Sequence, residues 1–141
     1  MARSRILVAV STPWASDRLV ETVRDLAERL EAAVIVAHVA QSSDEDKTEE
    51  EAKERGQQTL STLTTKLTEA GITADGVLLF GDDIARAIIN AAEAHDATLM
   101  AIGASGKGRM ARLLAGDVPQ QVMRLCARPL IVFPPDWSGT L

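Results

Sequence analysis

The sequence predicts a single α/β domain in which a five-stranded parallel sheet carries helices on both of its faces. Five short apolar runs rich in β-branched residues alternate along the chain with four stretches in which apolar residues recur at helical spacing. The runs are continuously apolar, as strands buried on both faces of a parallel sheet are. The chain has 141 residues, 46% of them hydrophobic and 25% charged, which fits one globular domain that needs no disulfide or metal crosslink.

The first half of the chain predicts two strands, each followed by a helix. Residues 6–10 form the first strand and residues 34–39 the second. An acidic loop and helix start occupies residues 41–56, and Gly71 ends the second helix as its C′ residue. The apolar stripes that predict the helices are Leu19, Val23, Leu26, Ala27 and Leu30 in the first and Leu60, Leu63, Leu67 and Ala70 in the second.

The second half predicts three strands, two helices and a C-terminal tail. Their ranges are 77–80, 99–102 and 130–133 for the strands, 119–125 for the last helix and 134–141 for the tail. The other helix follows the third strand and has Ile84, Ile88 and Ala91 on its apolar stripe. We interpret Asp82 and Asp83 as helix-start residues, since acids interact favourably with the helix dipole there, and not as a catalytic pair.

The charge of the chain is unevenly distributed around a net value of −5. That net value argues against general binding to nucleic acids or anionic membranes. Residues 44–54 contain seven acids and two lysines, and we interpret them mainly as a solvated helix face rather than a metal site. Residues 103–128 contain five basic side chains and one acid, Asp117. An anionic ligand is therefore expected near residues 103–128.

The apolar runs and the cysteine count predict where the protein is found. The longest apolar runs have five and six residues, whereas a membrane-spanning helix needs about 18. No secretory signal is recognisable at the N-terminus, and Cys126 is the single cysteine, so no intrachain disulfide can form. We expect a soluble cytoplasmic protein that neither binds nucleic acid nor inserts into a membrane.

A loop of four glycines follows the fourth strand, at residues 103–116. Ligands of parallel sheets bind at the carboxyl ends of the strands, and glycines there let backbone N–H groups approach a phosphate. The loop is not a Walker A motif, because Gly108 follows Lys107 where Ser or Thr is required and residue 101 is Ala. Gly106 to Ala111 matches a dinucleotide pattern but does not open a first β-α-β unit.

The spacing of three glycines in this loop resembles a known phosphate-loop signature. Gly103 and Gly106 are separated by two residues, and nine residues separate Gly106 from Gly116. The loop, together with the first strand, the Ala37-His38-Val39 strand end, the acidic middle helix and the closing Arg128-Pro-Leu-Ile-Val132 run, resembles the universal stress protein family over almost the whole chain. The resemblance implies one domain over residues 1–141 with a Rossmann-like, adenine nucleotide alpha hydrolase-like fold.

The resemblance also implies a nucleotide pocket and a dimer. Family members commonly dimerise and divide into those that bind ATP and those that do not. The positions that match the family's nucleotide contacts, with their immediate neighbours, are Val10, Ser11, Val39, Ile102, Gly103, Ser105, Gly106, Gly116, Asp117 and Val118. We expect the homodimer to form through Leu130, Ile131 and Val132, since this apolar strand lacks the charges that protect exposed sheet edges.

Three of the matching positions depart from the pattern of ATP-binding members. Ser11 stands where an acid contacts the nucleotide, Asp117 where Ser or Thr meets the terminal phosphates, and Pro119 where a small polar residue is usual. A carboxylate about 4 Å from a phosphate charge repels it by up to about 4 kcal/mol at an effective dielectric near 20. Asp117 alternatively acts only as a helix N-cap with Gln120. Lys107, with neighbouring arginines, or a magnesium ion would offset the repulsion.

The remaining polar residues predict packing rather than chemistry. We interpret His38 as a packed strand-end histidine, His95 as part of a last helical turn, and Cys126 as a core residue. No nucleophile, base and acid can be combined from these side chains. The sequence thus predicts a stress-response protein with a modified adenine-nucleotide pocket for AMP or ATP, acting by binding and dimerisation rather than turnover. The alternatives are a member that binds no nucleotide and acts through protein partners, and a slow ATPase with a metal at Asp117.

Overall fold

The computed structural model describes residues 4–11, 13–40, 48–103, 118–134, 137 and 139–141. Five parallel strands form one sheet, in the order β3-β2-β1-β4-β5. The strands are β1 Ser4–Ala9, β2 Ala32–Ala40, β3 Ala74–Phe80, β4 Leu99–Gly103 and β5 Leu130–Phe133. The described helices are α1 Pro13–Arg18, α2 Val20–Leu30, α3 Glu49–Glu69, α4 Ile84–Ala94 and α5 Val118–Leu125.

Two apolar clusters cover the two faces of the sheet. On one face, α2 and α3 pack against alternate strand residues such as Ile6, Val8 and Val36. On the other face, α4 and α5 pack against the intervening residues, including Leu7 and Met100. Because successive side chains of a strand point to opposite faces, a continuously apolar run supplies both clusters. The predicted α/β architecture with helices on both faces is confirmed.

A short helix, α1, precedes the first predicted helix, which corresponds to α2. Arg18 ends α1, Val20 begins α2, and Leu19 between them has φ −90° and ψ −4° with no side-chain cap. Leu19 is buried, whereas Leu30, the last residue of the predicted stripe, is 40% exposed. The predicted apolar stripe begins at Leu19, so the sequence predicts α2 but not the short helix α1.

The ends of α3 and α4 follow the predicted turn chemistry. Gly71 has φ +86° directly after α3, and its N–H donates to the carbonyl of Thr68 while the N–H of Ile72 donates to that of Leu67. This pair of bonds is the Schellman motif that a C′ glycine allows. Asp83 caps α4, its carboxylate accepting a hydrogen bond from the N–H of Arg86 at 3.1 Å. The interpretation of Asp83 as a helix-start residue is confirmed.

Within the described residues, no helix combines the length and the apolar character that crossing a membrane requires.

The sheet has two edges, β3 and β5. Cys126 follows α5 and is half-buried, with its Sγ 3.2 Å from the Sδ of Met100.

Candidate functional site

Three strand ends meet at the carboxyl edge of the sheet. Ala9 at the end of β1 is in register with Ala37 of β2 on one side and with Ile102 of β4 on the other. The chain adds strands outward from β1 to β2 and β3, then crosses to the opposite side of β1 to form β4 and β5. The switch in strand order therefore lies between β1 and β4, where parallel sheets bind ligands.

Val10 follows β1 and is bonded on both sides. Its N–H donates to the carbonyl oxygen of Ala37 at 2.9 Å. Its carbonyl oxygen accepts a hydrogen bond from Nδ1 of His38, also at 2.9 Å. The buried residue Val10 is thus tied to the end of β2 through both of its backbone polar groups. His38 is a half-buried packing residue at this strand end.

Ser11 carries a polar atom without a partner at the switch point. Its side chain is partly exposed, but the Oγ atom is buried and has no hydrogen-bond partner among the residues that the structure describes. Leaving a buried hydroxyl unpaired costs about 1–3 kcal/mol. Ser11 is the residue that stands where ATP-binding members of the resembled family carry an acid. The buried Oγ of Ser11 thus lies two residues beyond the end of β1.

Ile102 and Gly103 form the β4 side of this edge. Ile102 is buried in the cluster beneath α4 and α5. Gly103 faces the opposite side, where a Cβ at this position would lie 2.7 Å from Cδ1 of Leu19. The absence of a side chain at Gly103 thus lets the junction between α1 and α2 pack directly on the end of β4. Sequence periodicity gives no sign of this contact.

Helix α1 is clamped against α3 immediately after the β1 end. The buried hydroxyl of Ser16 donates to the carbonyl oxygen of Thr59 at 2.7 Å. The ammonium of Lys66 lies 2.6 Å from the carboxylate of Asp17 on the protein surface. That hydrogen bond to Asp17 raises the pKa of Lys66 above its ordinary value. These two contacts hold α1 against α3.

The structure brings together five of the ten predicted site residues at the carboxyl edge of β1, β2 and β4. These are Val10, Ser11, Val39, Ile102 and Gly103. Val118 begins α5 and is buried in the same cluster as Ile102. Ser105, Gly106, Gly116 and Asp117 lie outside the described residues. Lys107 also lies outside the described residues, and the interpretation of Asp117 as a helix cap therefore stays a prediction.

Comparison with known proteins identifies the family. The model of the universal stress protein family matches residues 2–134, which is nearly the whole chain. The chain belongs to the universal stress protein family. A comparison with the curated proteins gave no match.

Solved structures of universal stress proteins share the fold. The protein from Archaeoglobus fulgidus in complex with dAMP has a TM-score of 0.71 at 22% identity, over 94% of this chain and 98% of that one. A family protein from Burkholderia pseudomallei has a TM-score of 0.73 at 20% identity, over 93% and 96% of the two chains. A family protein from Arabidopsis thaliana with AMP bound has a TM-score of 0.63 at 15% identity, over 94% and 92%.

Proposed function

We propose that this universal stress protein binds an adenine mononucleotide at the carboxyl edge of β1, β2 and β4. It would act in the cytoplasm as a homodimeric stress-response protein, by binding rather than by turnover. The observation that carries the proposal is the buried, unpartnered hydroxyl of Ser11 at the point where the strand order reverses. A ligand that bonds this hydroxyl would recover the free energy that its burial costs.

The described residues at this edge suggest how an adenine nucleoside would be held. The backbone of Val39 at the end of β2 would hold the base, while Ser11, Ile102 and Gly103 would line the ribose. The solved structure of the family member from Archaeoglobus fulgidus contains dAMP, and that of the member from Arabidopsis thaliana contains AMP. We expect the bound nucleotide to act by occupying the site rather than by being hydrolysed. Val10 and His38 would keep the β1 end in place beneath it.

Asp117 would set the preference among nucleotides. By the family resemblance, Asp117 matches the position at which Ser or Thr of ATP-binding members meets the terminal phosphates. A monophosphate needs little from that position, whereas a triphosphate must overcome repulsion of up to about 4 kcal/mol. We therefore expect AMP to bind at least as tightly as ATP when no metal is present. Magnesium between Asp117 and the phosphates would reduce the difference.

Calorimetry tests this proposal with AMP and ATP, each with and without magnesium. The Ser11→Ala variant should weaken AMP binding by about twofold to tenfold, the effect of one hydrogen bond, without lowering the melting temperature. The same substitution at the exposed Ser61 is the control. A wild-type protein that binds neither nucleotide would instead support the partner-only alternative, which the departures at Ser11, Asp117 and Pro119 also favour.

The glycine loop is tested separately by charge. Lys107→Glu combined with Arg109→Glu should abolish nucleotide binding and leave the melting temperature nearly unchanged, if the loop holds the phosphate. Arg86→Glu with Arg124→Glu makes the same change in net charge at exposed positions on α4 and α5. Equal affinity in the two double variants would show that the loop residues do not contact phosphate.

A further inference from the structure

Trp137, Gly139 and Leu141 are bonded to the last residue of α1 and to α2. The guanidinium of Arg18 donates to the carbonyl oxygen of Trp137. The indole Nε1 of Trp137 donates to Oγ1 of Thr22 at 2.9 Å, and that hydroxyl donates in turn to the carbonyl oxygen of Gly139. Farther along α2, the N–H of Leu141 donates to the carboxylate of Asp25 at 2.9 Å. We call Trp137, Gly139 and Leu141 the strap.

The strap is attached on both sides of the junction between α1 and α2. Arg18 is the residue before Leu19, and Thr22 lies three residues after it. Leu19, the N-cap residue of α2, makes no side-chain capping hydrogen bond. Trp137 also packs against the cluster that contains Leu19. The strap therefore contributes both apolar contact and hydrogen bonds to this corner.

The same corner forms part of the candidate site. Leu19 packs so closely on Gly103 that a Cβ there would lie 2.7 Å from its Cδ1. On the other side of the corner, α1 is fixed to α3 by Ser16 and Asp17. A change in the angle between α1 and α2 would move Leu19 away from the β4 end. Residues 137–141 lie beyond the 2–134 that the family model matches.

We infer that the strap is a positioning device that holds the α1–α2 corner, and with it Leu19, against Gly103. Detaching the strap loosens the wall of the site and weakens the binding of AMP. This part of the inference rests on the function proposed above. Binding free energies are reciprocal, so AMP in turn tightens the strap. Thr22 and Trp137 act through Leu19 and Gly103 and do not contact the nucleotide.

A pair of substitutions at Thr22 in the full-length chain tests the inference. Thr22→Val keeps the shape of the side chain but removes the hydroxyl that serves both Trp137 and Gly139, whereas Thr22→Ser keeps the hydroxyl. Hydrogen exchange is measured at the N–H of Leu19, which donates to Ser16, and at that of Val23, which donates to Leu19. The N–H of Ala70, bonded at the end of α3, serves as the reference. AMP affinity is measured by calorimetry on the same samples.

We expect Thr22→Val to speed exchange at Leu19 and Val23 relative to Ala70 and to weaken AMP binding about fivefold or more, as couplings between sites commonly do. Thr22→Ser should restore both. Unchanged exchange at the corner in Thr22→Val, or equal losses in the two variants, would overturn the inference. A wild-type protein that binds no AMP overturns the proposed function instead, and the exchange rates then decide by themselves whether the strap holds the corner.

Discussion

Gly56 in the middle of α3 lies directly against His38 of β2. A Cβ at Gly56 would stand 3.0 Å from Cδ2 of His38 and 2.6 Å from Cδ1 of Leu78 on β3. The missing side chain lets the helix pack closely on both strands. Because His38 also donates its Nδ1 hydrogen to the carbonyl of Val10, the position of α3 is linked to the β1 end.

This contact predicts the sign of a stability change. Alanine in place of glycine ordinarily stabilises a helix by about 1 kcal/mol. At Gly56 we expect Gly56→Ala to lower the free energy of unfolding instead, by about 1–3 kcal/mol, because the added methyl overpacks the core. Urea unfolding measures the difference, with the exposed substitution Ser61→Ala on the same helix as control. A more stable Gly56→Ala protein would show that α3 shifts at little cost.

The strands and the two-sided core could be predicted because they follow from local pattern. A run such as residues 34–39 is apolar at every position, and the structure buries its alternate residues in the two opposite clusters. The roles of Gly71 at the end of α3 and of Asp83 at the start of α4 are equally predictable, since positive φ and N-capping are properties of one residue and its immediate neighbours. These features need no knowledge of distant parts of the chain.

Long-range contacts were not predictable by the same means. The short helix α1 lies ahead of the apolar stripe that predicts α2, and the approach of Leu19 to Gly103 joins residues more than eighty positions apart. The bonds between Trp137 and Thr22 likewise depend on where the chain ends up after β5. Of the candidate site, the sequence predicted the strand ends that come together, but not the corner that packs against them.

The β5 edge predicts a dimer that one charge would disrupt. Val132 is 45% exposed on this edge strand, and Met123 on the neighbouring α5 is 66% exposed. We expect two copies to pair through antiparallel β5 strands, which would satisfy the free edge and cover Val132. Val132→Lys should sediment as a monomer. The exposed substitution Leu30→Lys on α2 is the control, and a dimer that persists in Val132→Lys would exclude this interface.

We expect the hydrogen bond between Leu141 of the strap and the carboxylate of Asp25 to be lost in acid. This carboxylate accepts hydrogen bonds from Arg29 and from the N–H of Leu141, and both lower its pKa, that of Arg29 more. Because the pKa of Asp25 is lowered in the folded state, its hydrogen bonds contribute to the stability of the fold. This stability is fully present above the unfolded-state pKa of about 3.9 and is lost as the pH falls through the folded-state pKa.

The amide chemical shift of Leu141 reports this loss directly. We expect it to be constant down to about pH 4 and to titrate below that value, because the carboxylate that accepts its hydrogen is then protonated. Asp25→Asn should remove the part of the titration that comes from Asp25 and leave the part that comes from the α-carboxylate of Leu141 itself. A midpoint at or above the ordinary aspartate value would contradict the pairing of Asp25 with Leu141.

Asp117 predicts a selective gain in ATP binding when its charge is removed. Asp117→Ser restores the residue type that ATP-binding members carry and removes repulsion of up to about 4 kcal/mol, about a thousandfold in affinity as an upper bound. AMP has no terminal phosphates at this position, so its affinity should change far less. Calorimetry without magnesium compares the two ligands in the wild type and in Asp117→Ser, with Asp117→Asn separating the loss of charge from the gain of a hydroxyl. Equal gains for AMP and ATP would place Asp117 away from the terminal phosphates, and ATP binding more tightly than AMP to the unmodified protein would show that the carboxylate does not repel it.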